Sequence, residues 1–182
     1  MKIIATNLGS KKQVEWKGKT ITTGIYKEPV DTPVFIDDEH VRGDTICNLK
    51  YHGGVEQAVY GYALEHYAYW KEIYPDLVWE YGMFGENLTI EGLDETKIHV
   101  GDVFEVGEVI LEVTKPREPC SKLGIRFGDM NIVKQFWNTS YSGIYFKVLQ
   151  TGYVSKGTIF KQVKSCPNNP TISEVYQRKK KQ

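Results

Sequence analysis

GDVFEVGEVILEVTKPREPCSKL, residues 101 to 123, is the stretch on which the fold turns. Gly101-Asp102 and Gly107 bound a strand over Val103 to Val106. Beyond that turn, Val109, Leu111 and Val113 alternate with Glu108, Ile110 and Glu112, the two-residue period of a second strand. Pro116 and Pro119 then fix φ at about −65° and disfavour helix in the residue before each, which predicts a stiff extended loop from Arg117 to Cys120. Cys120 is therefore mounted rigidly at the end of a strand. Short strands cut by turns at this density point to a barrel or sandwich rather than a layered α/β sheet.

The rest of the chain carries the same pattern. Met1 to Thr6 reads as a strand, and Gln13 to Trp16 with Thr20 to Tyr26 as a hairpin around Lys17-Gly18-Lys19. Val34 to Ile36, Gln57 to Tyr62, Leu88 to Ile90, Gly143 to Gln150 and Gly157 to Val163 supply further strands. Leu64, Tyr67, Trp70 and Ile73 recur at helical spacing over Ala63 to Tyr74, and Pro75 ends that helix. Asn131 to Trp137 reads as a second helix. Thr171-Ile172-Ser173-Glu174 offers a capping box to a third, placed in a short tail of residues 166–182 behind one domain of residues 1–165. The fold class is mainly β with a few helices.

Lys115, Arg117, Lys122 and Arg126 face one anion, Glu118, a local excess of +3 in a chain whose formal net charge is +0. The excess favours an anionic guest and would make a nearby thiol more acidic, hence a better metal ligand or nucleophile. A buried inert thiol is the ordinary reading of a lone cysteine, but here the rigid loop and the cations outweigh it. Gly43-Asp44 and His52-Gly53-Gly54 bracket a segment with Cys47 and Lys50, and paired glycines either let backbone N–H groups approach a ligand or simply make a turn. Cys47 reads as a small buried side chain, and His66 as a structural histidine.

Balanced charge excludes the broad basic face that nucleic-acid or membrane-surface binding needs. Three cysteines make no disulfide framework, and no apolar run is long enough for a signal peptide or a ~20-residue membrane span, so the expected location is the cytoplasm. No Cys-x-x-Cys or His-x-x-x-His spacing marks a zinc site, and the acidic run Asp37-Asp38-Glu39 lacks calcium-loop spacing. Cysteine-nucleophile catalysis with His52 or His99 as base stays open on the residues alone.

The segment 109–123 (VILEVTKPREPCSKL), with GMFGENLTIEGL at 82–93 and YHGGVEQAVYGYALEHYAYW at 51–70, resembles the MOSC domain family, named after the C-terminal part of molybdenum cofactor sulfurases. The likeness runs from about Gly24 to Val163 and is nearest to the bacterial stand-alone members. It implies a β-barrel-like fold that binds molybdenum cofactor (molybdopterin), with Cys120 as the protein ligand to molybdenum. His52, Gly53, Gly54 and Asn87 become candidates for the pocket wall, and Arg117, Lys122, Lys50 and Arg126 for the pterin phosphate. The PLP-binding part of the sulfurases has no counterpart, so PLP is not expected. The resemblance implies an oxidoreductase that reduces N-hydroxylated small molecules with an external electron-transfer protein, or else a carrier of the cofactor, or of sulfur, without turnover.

Overall fold

The computed structural model describes residues 1–45, 47 and 53–180. Twelve strands and four helices are assigned among them: β1 (Lys2–Gly9), β2 (Lys12–Trp16), β3 (Lys19–Thr23), β4 (Lys27–Val30), β5 (Val34–Ile36), β6 (Val59–Ala63), α1 (His66–Ile73), β7 (Leu88–Glu91), β8 (Val103–Val106), β9 (Val109–Pro116), α2 (Ser121–Phe127), α3 (Asn131–Asn138), β10 (Ile144–Gln150), β11 (Gly152–Val154), β12 (Phe160–Lys164) and α4 (Ile172–Lys179). Eight strands form one sheet in the order β12-β8-β9-β10-β6-β7-β1-β4. Every pairing in it is antiparallel except β6 with β7.

No continuous ladder closes this sheet into a barrel. Its two ends nevertheless meet, because Ile3 N–H donates to Thr158 O (2.9 Å), Gly157 N–H to Ile3 O (2.8 Å) and Phe160 N–H to Met1 O (3.0 Å). These bonds tie the start of β1 to the chain just ahead of β12, so the sheet curls without a full strand pair at the seam.

Both faces of the curled sheet are covered. Ile3, Ile90, Leu111 and Phe146 belong to one core, and Tyr62, Trp70, Phe84 and Phe136 to a second, aromatic one. Strand β6 shows how the pleat feeds both: Val59 and Ala63 face the first core while Tyr60 and Tyr62 face the second. A Cβ at Gly61 would come within 2.8 Å of Ile90 Cδ1, so the first core leaves no room for a side chain there. Trp70, fully buried on α1, donates to Tyr62 Oη (2.8 Å) and stacks on Phe136.

The hairpin β2–β3 turns at Lys17-Gly18, both at positive φ (50° and 73°), the two-residue turn whose twist suits antiparallel strands. Strand β4 was not foreseen, because Pro29 reads as a breaker; it lies at the end of the sheet, where proline is tolerated. Helix α2 was also not foreseen, since seven residues give too little periodicity beside a proline-rich loop. The capping box of α4 is present: Thr171 Oγ1 accepts from Glu174 N (3.2 Å) and Glu174 Oε2 from Thr171 N (2.9 Å). This helix docks on the domain through buried Ile172 and Tyr176, the latter stacked on Trp137.

Candidate functional site

Strand β9 ends beside the start of β10, with Pro116 opposite Ile144 and Lys115 opposite Tyr145. Residues 117–120 then run without regular structure, as the two prolines require, and Cys120 caps α2 in extended backbone (φ −127°, ψ 171°) with its carbonyl accepting from Leu123 N (3.0 Å). The thiol is half-buried and opens on a cleft of about 730 Å³ counted out to its mouth. The β3–β4 link (Gly24, Ile25) with Lys27 at the start of β4, then Asp44, Thr45, Cys47, Gly53, the head of β6 and the 85–87 turn wall this cleft opposite Cys120 and Lys122.

Of the residues singled out in the sequence, Cys120, Lys122, Gly53, Asn87 and Arg117 come together around the cleft. Lys50 and His52 lie outside the described residues. Gly54 is not among the lining residues; it precedes a short 3-10 turn (Val55–Gln57) at φ 80°, and a Cβ there would meet nothing within 4 Å. Gly53 also has positive φ (81°) and does line the cleft. Cys47 is exposed and joins the lining instead of being buried. His66 is structural: its Nε2 meets both carboxylate oxygens of Glu95 at 3.0 Å and its ring stacks on Tyr141.

Arg117 is only 4% exposed. Its guanidinium donates to Phe84 O and lies over the rings of Tyr60 (5.0 Å) and Phe136 (5.8 Å), so it forms part of the cleft's inner wall and is not an exposed clamp. Burial works against its charge, yet Tyr60, Tyr145 and Cys120 beside it outweigh that and hold its proton more firmly than usual. Burial raises the phenol pKa of both Tyr60 and Tyr145, despite the guanidinium, so both stay neutral. Arg126 is not in the cleft lining and stacks over Tyr26 at 4.7 Å.

The sequence reading missed an ion pair. Lys27, 7% exposed, donates to Asp44, and the two side chains lie in the cleft wall. Asp44 also accepts from Gly9 N (2.8 Å) and Asn87 Nδ2 (2.9 Å). Asn87 is itself tied to β6, accepting from Tyr60 N (3.2 Å) through its side chain and donating its backbone N–H to Tyr60 O (2.8 Å). It therefore acts as a brace for Asp44. A buried ion pair is costly unless every partner is in place, and here three donors converge on one carboxylate. Glu86 next door is likewise satisfied, accepting from Tyr67 Oη, Gly82 N (2.9 Å), Phe84 N (3.1 Å) and Thr89 Oγ1 (2.9 Å).

Among the described residues no cluster of three His, Cys, Asp or Glu could hold a metal by itself. No helix among the described residues is long and apolar enough to cross a membrane. The MOSC domain profile matches residues 48–160, a span that includes Asn87, Arg117 and Cys120.

The chain belongs to the MOSC domain family. It is 41% identical over 155 residues to the uncharacterized protein YflK of Bacillus subtilis, covering 85% of this chain and 70% of YflK. A protein named "Reductase" from Gibberella moniliformis is 38% identical over 144 residues, which cover 77% of this chain and 25% of that protein. The crystal structure of YiiM from Geobacillus stearothermophilus superposes with a TM-score of 0.81 at 31% identity, over 98% of this chain and 83% of YiiM. The MOSC fold thus accounts for the curled mixed sheet.

Proposed function

We propose that this MOSC domain holds molybdenum cofactor in the cleft with Cys120 as the protein ligand to the metal, and reduces N-hydroxylated small molecules with electrons from an external transfer protein. The observation that carries the reading is the half-buried Cys120 thiol opening on a cleft whose wall also presents Lys27, Arg117 and Lys122. The residues fit the group. A thiolate is a soft donor suited to a sulfur-ligated metal, and Arg117 and Lys122 suit an anionic pterin phosphate. Lys122, on the first turn of α2 beside Cys120, is the cation placed to meet that phosphate, while Arg117 shapes the wall behind it. Bound there, the molybdenum centre would supply the two-electron reduction of the N–O bond.

The chain's own contribution is positioning. The loop 117–120 carries the thiol, and Tyr60, Tyr145 and glycines 24, 53 and 85 line the cleft around it. The relative named as a reductase supports redox chemistry for the family. The test is to load the protein with cofactor and measure bound molybdenum and turnover on a panel of hydroxylamines, amidoximes and N-oxides with a competent electron donor. Cys120→Ser should lose the metal while staying folded, and Cys166→Ser should keep it. Undiminished molybdenum in folded Cys120→Ser refutes the ligand assignment; a loaded parent inactive on the whole panel leaves the cofactor-carrier reading.

A further inference from the structure

We propose that Lys27, held in the cleft by Asp44, is the proton donor to the departing oxygen when an N–O bond is broken there; the assignment rests on the reductase reading above. The balanced reaction is R–NH–OH + 2 H⁺ + 2 e⁻ → R–NH₂ + H₂O. The N–O bond breaks, two electrons come from the external donor, one proton goes to oxygen and one to nitrogen. Hydroxide is a poor leaving group, so proton delivery to oxygen is the step a side chain can accelerate, by roughly 10² to 10⁴ when the acid is well placed.

Several groups along the described wall carry exchangeable protons, and most are unsuited to giving one up. Arg117 stays charged across the working range. Tyr60 and Tyr145 hold their phenol protons more tightly because burial raises them, and Tyr60 already donates to Ser142 O (2.9 Å). Cys120 is assigned to the metal. Lys27 differs in kind. Burial lowers its pKa from the ordinary 10.5, which weakens its hold on the proton, while Asp44 pulls the other way and keeps the ammonium charged before reaction. The other charged groups that bear on it are Glu86, which also raises it, and Arg117, which lowers it.

The geometry around Lys27 suits the same role. An ammonium has three N–H donors, and its bond to Asp44 uses one. Asp44 cannot swing away, since Gly9 N and Asn87 Nδ2 hold its two oxygens. At Lys27's own backbone, its N–H donates to Ile25 O (2.9 Å), and its carbonyl lies 2.6 Å from where a Cβ at Gly82 would be, so β4 enters under close packing. The cleft is open at its mouth, which gives the amine a route to take up a proton again from water. Asp44 is then a positioning residue. The ion pair sits in the wall of the same cleft onto which Cys120 opens.

Three measurements test this. Competitive acetylation with acetic anhydride across pH, read by peptide mass spectrometry on protein without cofactor, should show Lys27 titrating below the surface lysines. Lys27→Met and Lys27→Arg should retain parental molybdenum and pterin yet lose about 10²-fold or more in kcat with little change in KM. The Arg variant keeps the ion pair and guards against a folding failure in Met. The loss should shrink for O-acylated hydroxylamines, whose carboxylate leaves without a proton, a rescue that a structural role would not produce. Ordinary titration of Lys27, unchanged kcat in the loaded variants, or a loss of cofactor that matches the loss of activity overturns the assignment, the last making Lys27 a cofactor anchor. A loaded parent inactive on every N-hydroxy compound overturns the reductase reading with it, and that outcome is recognised in the parent alone.

Discussion

Replacing Asp44 by Ala isolates the energetics of the buried pair. Lys27 and Asp44 have side chains 9% and 3% exposed, and the carboxylate has Gly9 N and Asn87 Nδ2 as further donors. Removing it leaves a buried ammonium without its counter-charge, a change that costs about 3 to 5 kcal/mol. For a chain of this size that is a fall in Tm of roughly 6 to 20 °C. The pH dependence has a definite sign. The folded pKa of Lys27 lies below 10.5, so between the folded and the ordinary value the unfolded chain binds more protons and stability rises with pH. Loss of Asp44, which pulls the pKa up, extends that window to lower pH. The Asp44→Ala penalty should therefore be greatest near neutrality and shrink as pH approaches the ordinary lysine value. Urea unfolding of the parent, Asp44→Ala, Lys27→Met and the double variant at several pH values measures all of this. The double variant should be more stable than Asp44→Ala, because it removes the orphaned charge. An Asp44→Ala protein within about 1 kcal/mol of the parent at neutral pH, with no pH trend, would refute the reasoning.

Arg117→Ala should destabilise the protein by about 1.5 to 3 kcal/mol in denaturant titrations even without cofactor, since it strips a charged donor from Phe84 O and opens the wall between Tyr60 and Phe136. Thr171→Ala should lose about 1 kcal/mol by breaking the capping box of α4, seen as a fall in Tm of roughly 2 to 4 °C.

How much of this was legible in the sequence depended on the range of the interactions. Strands β8 and β9, the Lys17-Gly18 turn and the cap of α4 follow local rules, and each is where periodicity, glycine and a Thr-x-x-Glu pattern put it. Helix α1 begins at His66, three residues later than the sequence reading, because Val59 to Ala63 is claimed by the sheet, where β6 is buried on both faces. The sequence reading placed that strand over Gln57 to Tyr62 and so ended it one residue early. The curl of the sheet depends on backbone bonds between Met1–Ile3 and Gly157–Phe160, at opposite ends of the chain.

The electrostatics of the cleft show the same limit more sharply. Counting charges along 115–126 gives an excess of +3, but folding redistributes it. Arg117 turns inward onto Phe84 O and forms part of the inner wall, Arg126 stacks on Tyr26, and Glu118 pairs with Lys179 of α4, while Lys122 lines the cleft beside Cys120. A second cation, Lys27, arrives from β4 together with its own counter-ion, and nothing near it in the sequence marks it. The cationic character inferred for the site survives in kind while its bearers change. A surface charge can be relocated at little cost, whereas Lys27 is fixed by Asp44, Asp44 by Asn87, and Asn87 by the backbone of β6. This chain of contacts links the charge in the cleft directly to the strand at the centre of the sheet. Substitutions along it should therefore alter fold stability and the chemistry of the site together, while Lys122, free of such bracing among the hydrogen bonds described, should affect only what the cleft binds.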